Sequence, residues 1–151
     1  MRRMTTLYDL SGGRERLHAM TRAFYAKAID DDLLGPMFRR GAADHARWLA
    51  DWMCASFGGP RDYLRERGDL AHVIMKHAGL RATEAQRARW AAHMMAAARE
   101  VGMAPEFIRH FGRYVDAISR SVREQSCMPR AQLAAMLGVP PETGRERALD
   151  G

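Results

Sequence analysis

The sequence predicts an all-α domain, and three observations carry that expectation. Strand signal is nearly absent: no stretch alternates apolar and polar residues with the Val, Ile and Thr of a pleated strand. The abundant Ala, Arg, Met and Leu favour helix instead. Four longer segments repeat their apolar residues at spacings of three and four, which gathers them on one helical face. A chain of 151 residues suits one compact domain burying about two thirds of its unfolded surface.

Taken in order, a short leading turn from Thr5 to Leu10 is followed by Ser11-Gly12-Gly13, whose glycines bend the chain sharply. The first long helix is expected from Arg14 to Ile29, with Leu17, Met20, Phe24, Tyr25 and Ala28 on its inner face. Asp30-Asp31-Asp32 ends it. The apolar stretch Leu33-Leu34-Gly35-Pro36-Met37-Phe38 is expected to be irregular, because Gly-Pro interrupts a helix. The second helix runs from near Ala42 to just before Gly58-Gly59-Pro60, its stripe being Trp48, Leu49, Trp52, Met53 and Phe57, with His45 one turn upstream. Arg61 to Gly68 reads as a loop with one helical turn at most, and Leu70 to Ala78 as a short helix stopped by Gly79. Thr83 with Gln86 three residues on makes a capping box for the third long helix, which continues through Trp90, Met94, Ala97 and Ala98 to Gly102. Pro105 opens the fourth at a first-turn position, and Phe107, Phe111, Tyr114, Val115, Ile118 and Val122 mark its buried face. After Ser126 the pattern breaks at Pro129, Gly138, Pro140, Pro141 and Gly144. Residues 1–127 are therefore read as the domain, and 128–151 as a loosely attached tail, partly helical or disordered, with an amphipathic piece around Ala131 to Leu137.

Composition excludes several classes. Hydrophobic residues are 47% and charged residues 28%, as in a soluble globular chain, and no apolar run approaches the roughly 20 residues of a membrane span. Residues 1–25 hold Arg, Asp and Glu where a secretory signal would be apolar, so a reduced cytoplasmic setting is expected. Cys54 and Cys127 are too few for a disulfide scaffold or a Cys-only metal site. The net charge of +6 invites a nucleic-acid partner. Its basic residues, however, fall at chain ends or loops (Arg2, Arg3, Arg39, Arg40, Arg130, Arg145, Arg147) or alternate with acids, as in Arg14-Glu15-Arg16. A nucleic-acid reader concentrates such charge on one face, so nucleic acid is not the expected partner. Phosphate loops, paired metalloprotease histidines and nucleophile elbows are missing. His72 and His77, five apart, do not share a helix face.

What remains are polar-tipped residues on faces that should be apolar: Tyr25, His45, His77 and Trp90. Singly, each is most simply a packed or satisfied core residue. Their order and setting add more. Gly12-Gly13, Phe24-Tyr25, Leu33-Leu34-Gly35-Pro36-Met37-Phe38, Phe57-Gly58-Gly59-Pro60, Met75-Lys76-His77-Ala78 and then Trp90 together resemble the truncated (two-over-two) haemoglobins over Leu7 to Glu124. The Phe-Gly-Gly-Pro and Lys-His-Ala elements, with Trp thirteen residues after that His, are similar to the second group of that family. His45 and the Leu-Gly-Pro-Met-Phe element are similar to the third.

The resemblance implies a globin-like two-over-two sandwich around haem b. His77 would be the proximal iron ligand, its second ring N–H held by a backbone carbonyl near Val73 or Ile74. Tyr25, Trp90 and His45 would face a bound diatomic ligand. Leu49 would form an apolar wall, Phe38 pack on the porphyrin and Phe24 buttress it. Lys76, and more weakly Arg47 and Arg67, would meet the haem propionates. The chain departs from the family at Trp48, where a cation is frequent, and Trp48 with Trp52 would narrow the pocket's outer edge or simply pack. The implied activity is binding of O₂, NO and CO, with NO detoxification or peroxide-linked turnover through an external reductase. The alternatives are an O₂-binding or sensing module without turnover, and a cofactor-free basic interaction protein.

Overall fold

Thr6 sets the first element in place. Its hydroxyl accepts from the Asp9 amide while the Asp9 carboxylate accepts from the Thr6 amide, a capping box opening α1 (Leu7–Ser11). Gly12 and Gly13 then take φ of +84° and +108°, conformations costly for any residue with a Cβ, and the chain reverses into α2 (Arg14–Asp30). The computed structural model describes residues 4–40 and 42–141, and among them the chain forms nine α-helices and no strand. The remaining seven are α3 (Gly35–Phe38), α4 (Ala42–Ser56), α5 (Asp62–Glu66), α6 (Leu70–Lys76), α7 (Glu84–Glu100), α8 (Pro105–Ser126) and α9 (Arg130–Leu137). The fold is all-α, as expected.

Helix α2 packs on α4 and α7, and α7 on α8. The buried Thr21 hydroxyl lies 2.8 Å from the Ala46 carbonyl, tying α2 to α4. Leu17, Met20 and Phe24 of α2, Met53 and Phe57 of α4, Met94, Ala97 and Ala98 of α7, and Phe107, Phe111 and Val115 of α8 share one core. Phe107 stacks on Phe111 at 4.9 Å, and Phe57 meets both edge-on.

Two buried carboxylates lock the arrangement. Asp31, just past α2, accepts from the Leu33 and Leu34 amides, from Arg89 at 2.9 Å and from His93 at 2.7 Å, so it fastens the α2–α3 corner to α7. Asp51 of α4 accepts from Arg14 at 3.1 Å and meets His18 Nε2 at 3.0 Å, and Arg14 reaches on to Asp62 at the start of α5. The Phe-Gly-Gly-Pro element seats α1 on the end of α4. Tyr8 donates its amide to the Phe57 carbonyl at 3.0 Å, and a Cβ at Gly59 would run into the Tyr8 ring.

Three expectations change. Gly35-Pro36 begins helix α3 rather than preventing one, because proline's missing N–H is no loss in a first turn. Helix α6 ends at Lys76 and leaves His77 as its C-cap, short of Ala78. The segment from 130 is docked instead of loose: Leu133 and Ala134 are buried against Ile74 and Met75. Its apolar face simply finds the exposed side of α6. Arg2, Arg3, Arg145, Arg147 and the rest of 142–151 lie outside the described residues.

Candidate functional site

The His77 side of the candidate site is built from one short helix. Asp69 caps α6 by accepting from the His72 amide, and the helix delivers His77 at its last turn. His77 Nδ1 lies 2.8 Å from the Val73 carbonyl. A carbonyl can only accept, so Nδ1 carries the proton and donates it, and Nε2 of the neutral ring keeps its lone pair. Burial holds the ring below its ordinary pKa against the opposing Val73 bond, and Lys76 adds a smaller push in the same direction as burial. An imidazole fixed in this tautomer, with the Nε2 lone pair free, is what a metal bond from histidine requires.

The other side is an aromatic cluster from four helices. Phe24, fully buried in α2, touches Tyr25 at 5.4 Å, Phe38 of α3 at 5.7 Å and Trp90 of α7 at 5.8 Å between ring centroids. Tyr25 meets Phe38 at 5.5 Å and His45 of α4 at 6.3 Å. Leu49, one turn after His45, packs on the core beside them. Burial raises the Tyr25 hydroxyl well above its usual value, so the phenol stays protonated and is a donor at neutral pH. His45 is lowered by burial first and then by the charges of Lys76 and Arg67, with Asp44 opposing, which keeps its ring neutral.

Trp48 joins the two sides. Its ring lies 5.3 Å from His45, carries the Arg67 guanidinium at 3.8 Å and faces the Lys76 ammonium at 5.5 Å. Arg67 Nε is buried and has no hydrogen-bond partner among the described residues. A buried donor left unpaired costs about 1–3 kcal/mol, so this edge of the cluster fits an anionic ligand group. Trp52 goes elsewhere: it meets Tyr63 at 5.4 Å between ring centroids. The two tryptophans therefore do not share one role. Arg47 is solvent-exposed beside Asp44 at 4.0 Å and is not part of the cluster.

Sequence reasoning missed two participants, Asp31 and Arg130, and one contact between residues it had named. Asp31 carried a signal in the Asp-Asp-Asp-Leu-Leu run, where an Asx turn is common. The stacking of Arg67 on Trp48 joins residues far apart in the chain and left no local mark. Arg130, whose Nη1 reaches the Met75 carbonyl at 3.3 Å, was read only as tail charge.

A helical frame carrying a tautomer-fixed histidine and a cluster of partly buried aromatic donors is compatible with a globin, the class of protein that binds diatomic gases at a haem. The chain belongs to the bacterial-like globin family, whose model matches residues 6–124, and within it is a truncated globin. It is 30% identical over 76 residues to a group 1 truncated haemoglobin of Tetrahymena thermophila, covering 50% of this chain and 63% of that protein. The chain thus spans less than two thirds of that relative's length. Among solved structures it is similar to the haemoglobin of the thermophilic phototroph Chloroflexus aurantiacus (25% identity, TM-score 0.73, 79% of this chain and 98% of that one). It also shares the fold of the group II truncated haemoglobin of Bacillus anthracis (20% identity, TM-score 0.71, 85% of this chain and 95% of that one).

Proposed function

We propose that the chain holds haem b between His77 and the Tyr25, Trp90 and His45 side chains, and binds O₂, NO and CO reversibly. Haem held there by His77 would supply an iron that binds a diatomic gas. The observation that carries this reading is the 2.8 Å bond from His77 Nδ1 to the Val73 carbonyl, which leaves the Nε2 lone pair available for ligation. The gathering of the Lys76 and Arg67 cations on Trp48 supports assigning them to the propionates. Phe38, Leu49 and Phe24 supply apolar walls.

On the gas side this chain contributes neutral donors. The Tyr25 phenol and the Trp90 indole each offer one hydrogen, and the neutral His45 ring offers one hydrogen and one lone pair. Donors in a dry pocket stabilise a ligand bearing partial negative charge, as O₂ does and CO scarcely does, by about 1–3 kcal/mol each. Slow O₂ release suits redox chemistry better than bulk transport. The proposed reaction is conversion of NO and O₂ to nitrate with one electron from an external reductase, or peroxide-linked turnover through the same partner. The sequence contains no flavin or nicotinamide motif. A cytoplasmic setting belongs to the same reading.

The test uses the purified chain reconstituted with haemin. A Soret band lost or strongly shifted in His77→Ala supports the axial assignment. O₂ release about tenfold faster in Tyr25→Phe, with CO release changed by less than about twofold, supports the donor role. O₂ release within about twofold of the parent in both Tyr25→Phe and Trp90→Ala overturns it. Nitrate yield on rapid mixing of the oxygenated protein with NO separates turnover from simple gas binding.

A further inference from the structure

Helix α6 has seven residues, too few to hold itself helical in water, so its geometry depends on what packs against it. Among the described elements its principal partner is α9, which lies wholly beyond residue 124, where the match to the globin family ends. The contact is both apolar and polar. Leu133 and Ala134 are buried on Ile74 and Met75, with Met128, Leu137 and Val139 around them. Arg130 spans two carbonyls, its Nε donating to Pro141 at 2.7 Å and its Nη1 to Met75 at 3.3 Å. The Met75 carbonyl also accepts the Ala78 amide at 3.2 Å and is one of two acceptors for the amide of His77. On the far side of His77, the chain is held by the same end of the molecule. Ser126 is buried, its carbonyl accepts the Arg81 amide at 3.0 Å, and its hydroxyl accepts the Ala82 amide at 3.0 Å.

We propose that α9 is a positioning element for His77: through Arg130 and Leu133 it fixes the Met75–Ala78 backbone, and so the direction in which Nε2 points. The plain alternative is that α9 only covers apolar surface. In that case Arg130→Met, which keeps the apolar cover, would leave the 75–78 amides as protected as in the parent, and only Leu133→Ala would lower their protection. What Nε2 then holds rests on the haem reading, whereas the bracing of the backbone does not.

The experiment uses the full chain, as parent, Arg130→Met and Leu133→Ala, in two forms. In the haem-free form, amide hydrogen exchange is followed residue by residue. Protection of the Met75, Lys76, His77 and Ala78 amides is expected to fall about tenfold in Arg130→Met, while amides in α2, α7 and α8 keep theirs. With haemin added, the variant is expected to lose it to apomyoglobin about tenfold faster, and the iron–histidine stretch of the ferrous form is expected to shift. Unchanged protection at 75–78 overturns the proposal, as does a fall shared equally by all helices. Leu133→Ala, which removes packing but keeps the Arg130 bonds, must produce the same selective loss. A parent that takes up no haemin refutes the haem reading, and the exchange pattern still decides the brace.

Discussion

His77 was legible because its neighbours were. Lys-His-Ala, followed by a tryptophan at a fixed interval, is a local pattern, and the acceptor four residues upstream follows from helical geometry alone. The distal residues were legible as types but not as a constellation, since Tyr25, Phe38, His45 and Trp90 come from four helices and meet only through the buried Phe24 ring. Trp48 was the least readable. A tryptophan in place of a cation looks like the loss of an anchor, yet its ring gathers Arg67 and Lys76 at that position. Those same cations bear on His45. Its folded pKa lies below the ordinary value near 6.5, so on the acid side the unfolded chain binds the extra proton first. The stability of the haem-free protein should therefore be complete above about pH 6.5 and decline as pH falls below it. Urea midpoints measured from pH 7.5 to 5.5 should show a shallower decline in His45→Gln than in the parent. An equal slope in both would remove His45 from the account.

Helix boundaries followed the caps. The Thr83–Gln86 box, Pro105 at the head of α8 and the double glycine before α2 act through their own backbone groups, so they can be read without tertiary knowledge. Thr83→Ala should cost about 1 kcal/mol, read as a lower urea midpoint with an unchanged slope. Helix α3 and the docking of α9 were not legible in the same way. Gly35-Pro36 allows a helix or a turn, and Asp31 decides by accepting the Leu33 and Leu34 amides ahead of it. A short apolar stripe such as Leu133, Ala134 and Leu137 says that something will be covered, but nothing local says that α6 is its partner. Asp31→Asn should lower the melting temperature and loosen the α2–α3 corner, since the carboxylate is the common acceptor for Arg89 and His93.

At the scale of the molecule, the core joins α2, α4, α7 and α8, whereas α6 and α9 form a smaller cluster of their own. A ligand gripped by His77 on one cluster and lined by Tyr25, Phe38 and Trp90 on the other would join the two. The haem-free protein should accordingly melt at a lower temperature, and haemin at about 1,000 times its dissociation constant should add about 4 kcal/mol. Scanning calorimetry across haemin concentrations checks this, and a melting temperature indifferent to haemin would rule out the linkage. Of the basic residues behind the net charge of +6, Arg89, Arg14 and Arg87 pair with Asp31, Asp51 and Glu84. The two thiols differ in a way that extends to the loop after His77. Cys54 is buried and pushed up to about 11, chiefly by that burial, while Cys127 is exposed with its sulfur 3.7 Å from the Ala82 carbonyl. A maleimide dye added to the native chain would thus attach at a single place, beside the loop that follows His77, and its brightness would report on that loop from outside without any engineered handle.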